Sequence, residues 1–178
     1  IIQKLVRLGY EVLLLDDPID EYTIDAVGEY EQHKLQNVAR DDWKLPDDDD
    51  LERRKEKSLK KMYATMTDWL KGLGMGAQRV EITRKLHDEP GVVTTNDQGY
   101  SANMERISKA QTLSHAAKHQ SHNASRKTWE VNPAHPMIKK LDEYSKTLPS
   151  DKEPRALAST MFDVALLQSG FVLTNPID

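Results

Sequence analysis

The first forty residues alternate between helix-like and strand-like hydrophobic patterns. Apolar residues over 1–8 recur at the three-four spacing of a helix, and a glycine follows as a helix-ending residue. Residues 10–15 are rich in Leu and Val, which predicts a buried strand that runs parallel to its neighbours. A second helix is predicted after the capping residue Asp17 and runs to about residue 27, and another strand follows over 34–38.

The most regular hydrophobic pattern lies in the middle of the chain. It predicts one long helix whose apolar residues keep the three-four spacing and whose end is marked by three glycines. These apolar residues are Leu59, Met62, Tyr63, Met66, Trp69, Leu70 and Leu73. Residues 79–86 alternate as a half-buried strand should, and 92–95 form a second strand that we expect to pair with the first.

A short amphipathic helix is predicted just after residue 100, with Ser101 as its N-cap. Tyr100, Met104 and Ile107 would gather on its apolar side. The polar side would carry the charged residues Glu105, Arg106 and Lys109. Because so short a helix buries little, its apolar side either lies on the body of the domain or remains available to a partner.

The hydrophobic pattern is lost over the polar residues 112–125 and resumes near Trp129, after which two more helices are predicted. The first begins at Pro136, and the second runs over 154–169 and ends at Gly170. Apolar residues nearly encircle the last helix, which is typical of a core or of an oligomer interface. We therefore predict an α+β fold in which a small α/β segment precedes a domain of helices and short strands.

Composition narrows the class of protein. A chain of 178 residues holds one domain, or one domain and a fragment of another. The net charge of −4 does not indicate binding to nucleic acid or to an anionic membrane. No apolar run is long enough to span a bilayer. The absence of cysteine excludes disulfides, thiolate nucleophiles and cysteine-rich zinc sites.

An acidic segment marks the expected domain boundary. Residues 43–50 contain a proline and four consecutive aspartates, and we interpret them as a solvated linker. The predicted division is therefore 1–42, the linker 43–50, and 51–178. The chain begins within a helical pattern and without an initiator Met, so we expect it to be a piece of a longer protein.

Three groups of residues could carry chemistry. His115, His119 and His122 fall on one face of a helix if their segment is helical, a spacing that can bind zinc, but no acidic residue lies between them. The acidic group of Asp16, Asp17, Asp20 and Glu21 could indicate paired catalytic carboxylates, but helix capping explains three of the four. Asn123 begins a glycosylation sequon, which matters only in the secretory pathway. No phosphate-binding loop or nucleophile elbow is found, so we expect no catalytic site and no metal site.

Four motifs, in the same order, resemble segments of the 90-kDa heat-shock chaperone family. They are residues 14–22 (LLDDPIDEY), 101–111 (SANMERISKAQ), 129–136 (WEVNPAHP) and 165–171 (ALLQSGF). The second motif resembles the signature of the family's C-terminal domain. Residues 35–39 and 127–130 further resemble the family's endoplasmic-reticulum paralogue, which implies the reticulum lumen, with the cytosol as the alternative.

The resemblance implies a chaperone fragment made of the end of the middle domain (1–42) and the C-terminal dimerisation domain (51–178). It implies client binding through Tyr100, Met104 and Ile107. ATP and Mg would bind an N-terminal domain outside this segment. The segment itself would need no cofactor. The implied partners are a second copy of the chain, unfolded or partly folded clients, and co-chaperones.

Dimerisation, in this interpretation, would use the last predicted helix and the residues that follow it. The expected interface residues are Leu157, Met161, Val164, Ala165, Leu167 and Phe171. The family's final dimerisation helix would lie beyond Asp178. The family usually has Trp where Tyr100 stands, which implies a weaker grip on clients here.

Two alternatives stay open from the sequence. One is a metal-dependent hydrolase that uses the three histidines of residues 115–122 with a nearby acid. The other is a structural adaptor that dimerises without contacting clients.

Overall fold

A computed structural model describes residues 1–45, 50–96, 99–111 and 127–173 of the chain. The helices and strands are α1 (Ile2–Arg7), α2 (Pro18–Val27), β1 (Glu29–Tyr30), β2 (His33–Lys34), α3 (Asp50–Met62), α4 (Ala64–Gly72), β3 (Arg79–Ile82), β4 (Gly91–Thr95), α5 (Ala102–Gln111), β5 (Lys127–Val131), α6 (Pro136–Thr147) and α7 (Lys152–Gln168). The predicted α+β class is confirmed. In these ranges no helix combines the length and the apolar character that a membrane crossing requires.

Capping residues fix the start of α2 as the sequence predicts. The side chain of Asp17 accepts a hydrogen bond from the backbone N–H of Ile19 at 3.0 Å, and the side chain of Asp20 accepts one from the backbone N–H of Asp17 at 3.2 Å. This reciprocal pair is a capping box, and a proline at the first helical position supports it. The capping interpretation is therefore confirmed for Asp17 and Asp20.

The predicted strand over residues 10–15 is wrong. The segment has no strand structure, and Leu13, Leu14 and Leu15 are 64%, 76% and 44% exposed. A strand requires a hydrogen-bonded neighbour, and no strand of the described residues pairs with this segment. The strand predicted over 34–38 is also shorter than expected, because β1 and β2 form only a two-residue antiparallel ladder in which Tyr30 faces His33.

The long predicted helix is two helices that meet at Tyr63. This residue has φ −96° and ψ 9°, which is not helical, and it stands between α3 and α4. Its side chain is buried, and its hydroxyl donates a 3.3 Å hydrogen bond to the carbonyl oxygen of Pro133. α3 buries no residue and contacts the core through the half-buried Leu59, whereas α4 buries Met66 and Leu70.

β5 is the central strand of the three-stranded sheet, with the order β3-β5-β4. It runs parallel to β3 and antiparallel to β4, so that Trp129 lies between Val80 and Val93. The predicted direct pairing of β3 with β4 is therefore wrong. Both strands have the alternating pattern of a pairing partner, but the strand that each of them pairs with comes later in the chain.

The core lies between this sheet and helices α4, α6 and α7. Trp129 is fully buried, and its ring meets that of Phe162 edge-on, with centroids 5.4 Å apart. α6 contributes Ile138 and Leu141, both fully buried. The predicted helices α6 and α7 are thus confirmed, and α7 ends two residues before Gly170, whose φ of 85° suits glycine.

Residues 40–43 lie against the sheet. Arg40 forms a parallel bridge with Thr95 at the end of β4, and Trp43 is 3% exposed. The carboxylate of Asp41 accepts a hydrogen bond from the Thr128 hydroxyl at 3.0 Å. The division of the chain at residues 42 and 51 stays a prediction, and residues 46–49 of the acidic linker lie outside the described residues.

Candidate functional site

One hydroxyl joins the start of α5 to α2. The Oγ of Ser101 accepts a hydrogen bond from the backbone N–H of Met104 at 3.1 Å, which confirms Ser101 as the N-cap. The same hydroxyl donates to a carboxylate oxygen of Glu21 at 2.6 Å. Because one side chain makes both bonds, the start of α5 is fixed against the first turn of α2.

Tyr22 and Met104 meet beside this junction. The hydroxyl of Tyr22 donates to the sulfur of Met104 at 2.9 Å. Tyr22 is 58% exposed, and Met104 is half-buried. Ile19, one turn earlier on the same face of α2, is 66% exposed. Apolar side chains from two helices therefore lie together at the protein surface.

The three predicted client-binding residues are all half-buried. Tyr100 precedes the helix, and Met104 and Ile107 lie one turn apart on α5. The apolar side of α5 is thus neither sealed into the core nor fully open to solvent. We refer to Ile19, Tyr22, Tyr100, Met104 and Ile107 as the α2–α5 surface.

The sequence pattern places Glu105 on the solvent-facing side of α5, but in the structure its side chain is buried. It is 5% exposed, and its carboxylate lies 2.6 Å from the ammonium group of Lys127 at the start of β5. The Lys127 ammonium also lies 4.8 Å from the centroid of the Phe171 ring. The face of α5 that carries Glu105 is therefore turned toward the body of the protein, because a buried carboxylate needs a partner and the sheet supplies one.

The residues that follow α7 lie against the start of α5. A Cβ atom built on Gly170 would lie 3.3 Å from the Cβ of Ala102, the first residue of α5. Phe171, whose ring carries the Lys127 ammonium, is 5% exposed. The helix that carries Met104 is therefore held by the residues that end α7.

The residues predicted for the dimer interface lie on two faces of α7 and just beyond it. Met161 and Ala165 belong to the protomer's own core, as does Phe171. Leu157 is half-buried, and Val164 and Leu167 are 42% and 54% exposed. Val164 and Leu167 therefore lie on the side of the helix away from the core, whereas Leu157 packs against the edge of the core.

A second polar cluster lies beneath α3. Glu130 is 3% exposed and accepts hydrogen bonds from the Thr94 hydroxyl at 2.9 Å and the Lys85 ammonium at 3.4 Å. The Lys85 ammonium lies 4.9 Å from the centroid of the Trp43 ring, and the adjoining cavity of about 420 Å³ is lined by acidic and basic side chains in similar number. Such a balanced set satisfies its own charges, which is typical of a structural network.

The remaining sequence candidates are three histidines and the asparagine of the sequon. His115, His119, His122 and Asn123 lie outside the described residues. Within the ranges that the structure does describe, no three His, Cys, Asp or Glu side chains are grouped so that they could hold a metal ion.

Sequence reasoning missed the contribution of α2 to the surface. The signal was present, because Ile19 and Tyr22 have helical spacing beside a well-capped start. What the sequence did not reveal is that α2 lies against α5, a contact between residues 82 positions apart.

An α+β scaffold that leaves apolar side chains of two adjoining helices partly open is typical of a protein-binding module. A family model described as "Hsp90 protein" matches residues 1–178, and the chain belongs to the Hsp90 family. It is 39% identical, over 99% of its length, to an endoplasmin homolog of Arabidopsis thaliana, and 35% identical, over 99%, to one of Caenorhabditis elegans. It is also 32% identical, over 99%, to the chloroplastic heat shock protein 90-5 of Arabidopsis thaliana.

The matched region is a small part of these relatives. It covers 21%, 24% and 22% of their respective lengths, so the chain spans about a fifth of the length of the curated relatives it matches.

Proposed function

We propose that this chain is the client-binding and dimerisation module of an Hsp90-family chaperone. The observation that carries the proposal is the contact between Tyr22 and Met104, which joins two amphipathic helices into one partly open apolar surface. The chain belongs to a family of chaperones, in which an apolar surface of this kind can bind unfolded client proteins.

The chemistry of the α2–α5 surface suits clients of varied sequence. Methionine is unbranched and polarizable, so that Met104 can adapt to side chains of different shapes. Tyr22 offers a large apolar ring together with a hydroxyl, which allows both apolar contact and hydrogen bonding. Because unfolded clients expose apolar segments without a fixed shape, an adaptable surface binds many of them weakly.

Dimerisation would use the outer side of α7. Val164 and Leu167 are largely uncovered there, half-buried Leu157 lies at the edge of the core, and the inner side of the helix builds the core. Two copies joined in this way would present two α2–α5 surfaces to one client, which raises the effective affinity of weak sites.

Activities of the longer protein are part of the same proposal. We propose that the parent chain hydrolyses ATP with Mg through a domain other than this one, and that closure of the dimer acts on the bound client. The relatives named endoplasmin homologs support a location in the endoplasmic reticulum lumen. Co-chaperones are proposed as further partners.

A substitution at Met104 tests client binding. In the full-length protein, Met104→Asp places a charge within the apolar surface and should weaken the holding of a thermally unfolded reporter enzyme about tenfold. The matched control is Met62→Asp, because Met62 is 61% exposed on α3, away from the surface. Equal holding by both variants and the wild type, with unchanged circular dichroism, would contradict the proposal.

A second substitution tests the dimer. Leu167→Asp should shift the full-length protein from dimer to monomer in sedimentation velocity at micromolar concentration. Leu148→Asp is the control, because Leu148 is 43% exposed but follows α6 and lies outside α7. A Leu167→Asp variant that dimerises as tightly as the control would count against this interface.

A further inference from the structure

The sulfur chemistry of this chain is confined to methionine. The sequence has no cysteine and six methionines, so that thioethers are its only oxidisable sulfur groups. Met66 and Met161 are 0% and 6% exposed in the core. Met104 differs from both because it is only half-buried and its sulfur accepts a hydrogen bond from the largely exposed Tyr22.

We propose that Met104 is a redox modification site at which peroxide switches off client binding. The inference rests on the proposed client-binding function and adds its regulation. The attacking group is the thioether sulfur, the reagent is hydrogen peroxide or a related hydroperoxide, and the product is methionine sulfoxide.

The reaction needs no further reagent. A sulfur lone pair attacks one oxygen of hydrogen peroxide, the S–O bond forms and the O–O bond breaks. The departing hydroxide takes the proton of the transferred oxygen and leaves as water. Sulfur loses two electrons, and the peroxide gains them.

Tyr22 is placed to hold the product. Its hydroxyl already donates to the Met104 sulfur at 2.9 Å, and a sulfoxide oxygen is a much stronger acceptor than a thioether. Oxidation therefore makes Met104 polar and at the same time binds the Tyr22 ring to α5. The α2–α5 surface loses two of its adaptable apolar side chains in one step.

Reduction reverses the change. A methionine sulfoxide reductase removes the oxygen as water while two thiols are oxidised to a disulfide, and the thioether returns. The modification therefore acts as a switch and not as permanent damage.

The experiment exposes the full-length protein to graded hydrogen peroxide. Peptide mass spectrometry gives the sulfoxide fraction at each methionine, and the holding of a thermally unfolded reporter enzyme is measured on the same samples. We expect holding to fall about tenfold as Met104 becomes fully oxidised, because the polar sulfoxide must lose water when an apolar client segment covers it. Reductase and thiol should restore the holding.

Variants separate Met104 from the other methionines. Relative to its own untreated holding, Met104→Leu should show no fall through the same peroxide range, whereas Met62→Leu and Met137→Leu should lose holding as the wild type does. Met62 and Met137 are suitable controls because they are 61% and 40% exposed on α3 and α6. The wild-type dose series supplies an independent measurement that requires no variant to fold.

Full oxidation of Met104 without loss of holding would overturn the inference, as would equal loss by the wild type and Met104→Leu. Failure of the proposed function looks different. In that case, Met104→Asp holds the reporter as well as the untreated wild type does.

Discussion

Glu105 and Lys127 form a buried ion pair, 2.6 Å apart, between α5 and the first residue of β5. Their side chains are only 6% and 13% exposed, and the ammonium group also lies 4.8 Å from the centroid of the Phe171 ring. The pair fixes the side of α5 that carries Glu105 to the sheet, and Met104 lies about 100° away around the helix. The pair therefore fixes the orientation of the helix that carries the proposed client-binding residues.

Removing one member of this pair should be costly. Glu105→Gln leaves the Lys127 cation largely buried without its carboxylate, and we expect a loss of about 3 kcal/mol in the free energy of unfolding. Urea denaturation measures the change. The control is Glu143→Gln, which breaks an exposed pair with Lys140 and should change stability by less than about 1 kcal/mol. Equal effects from the two substitutions would show that the Glu105 pair does not stabilise the fold.

Loss of the Ser101 hydroxyl should loosen the start of α5. Ser101→Ala removes the cap on the Met104 amide and the bond to Glu21, at a cost of about 1 kcal/mol. Hydrogen exchange of the peptide that contains Met104 should become about fivefold faster. Ser101→Thr keeps a hydroxyl and should exchange nearly as the wild type does. An unchanged exchange rate in Ser101→Ala would mean that other contacts hold this turn.

Two glycines should respond in opposite directions to the same substitution. A Cβ at Gly91 would lie 2.6 Å from the Trp129 indole nitrogen and 3.1 Å from the Glu130 carbonyl oxygen. Since Trp129 is fully buried and cannot move aside, Gly91→Ala should lower the free energy of unfolding by about 2 kcal/mol. Gly72→Ala has open space within 4 Å and should raise it by about 0.5 kcal/mol. Thermal unfolding followed by tryptophan fluorescence distinguishes them, and a loss at both sites would refute this account.

Tyr63 should make the protein sensitive to alkali. Burial, followed by the negative charge of Asp142, raises the pKa of Tyr63 above its ordinary value of 10.0. The folded state therefore holds the phenolic proton more tightly than the unfolded state does. The resulting stability is fully present below pH 10 and is lost as the pH rises through the pKa of the folded state.

The Tyr63→Phe variant isolates this contribution. Between about pH 8 and about pH 10.5, its free energy of unfolding should fall less than that of the wild type, because phenylalanine has no proton to lose. The comparison uses urea denaturation at both pH values, so that titration of other groups cancels between the two proteins. Parallel losses in wild type and variant would exclude Tyr63 as a source of alkaline instability.

Local patterns predicted the parts of this fold that local chemistry decides. The capping residues Asp17 and Ser101 fix helix starts through hydrogen bonds that span three residues or fewer, and both were recognised from sequence. Helices α6 and α7 were also predicted from local signals, which are a proline at the start of α6 and a long apolar segment ended by glycine for α7. The α2–α5 surface was predicted only on its α5 side.

Errors arose where distant residues decide the structure. The three-four spacing continues through Tyr63, and nothing within that pattern shows that its hydroxyl reaches Pro133, 70 residues further on. Glu105 reads as a solvent-facing charge until Lys127 is placed beside it. Residues 10–15 have the composition of a strand, but composition does not supply a neighbour.

The sheet order has a consequence for synthesis of the chain. β3 and β4 leave the ribosome first, yet each of them pairs with β5, which follows about thirty residues after β4. Until β5 emerges, the backbone N–H and C=O groups of β3 and β4 lack the strand with which they pair in the folded protein. A segment whose proposed task is to protect unfinished proteins therefore passes through a period in which it is itself unfinished and exposed.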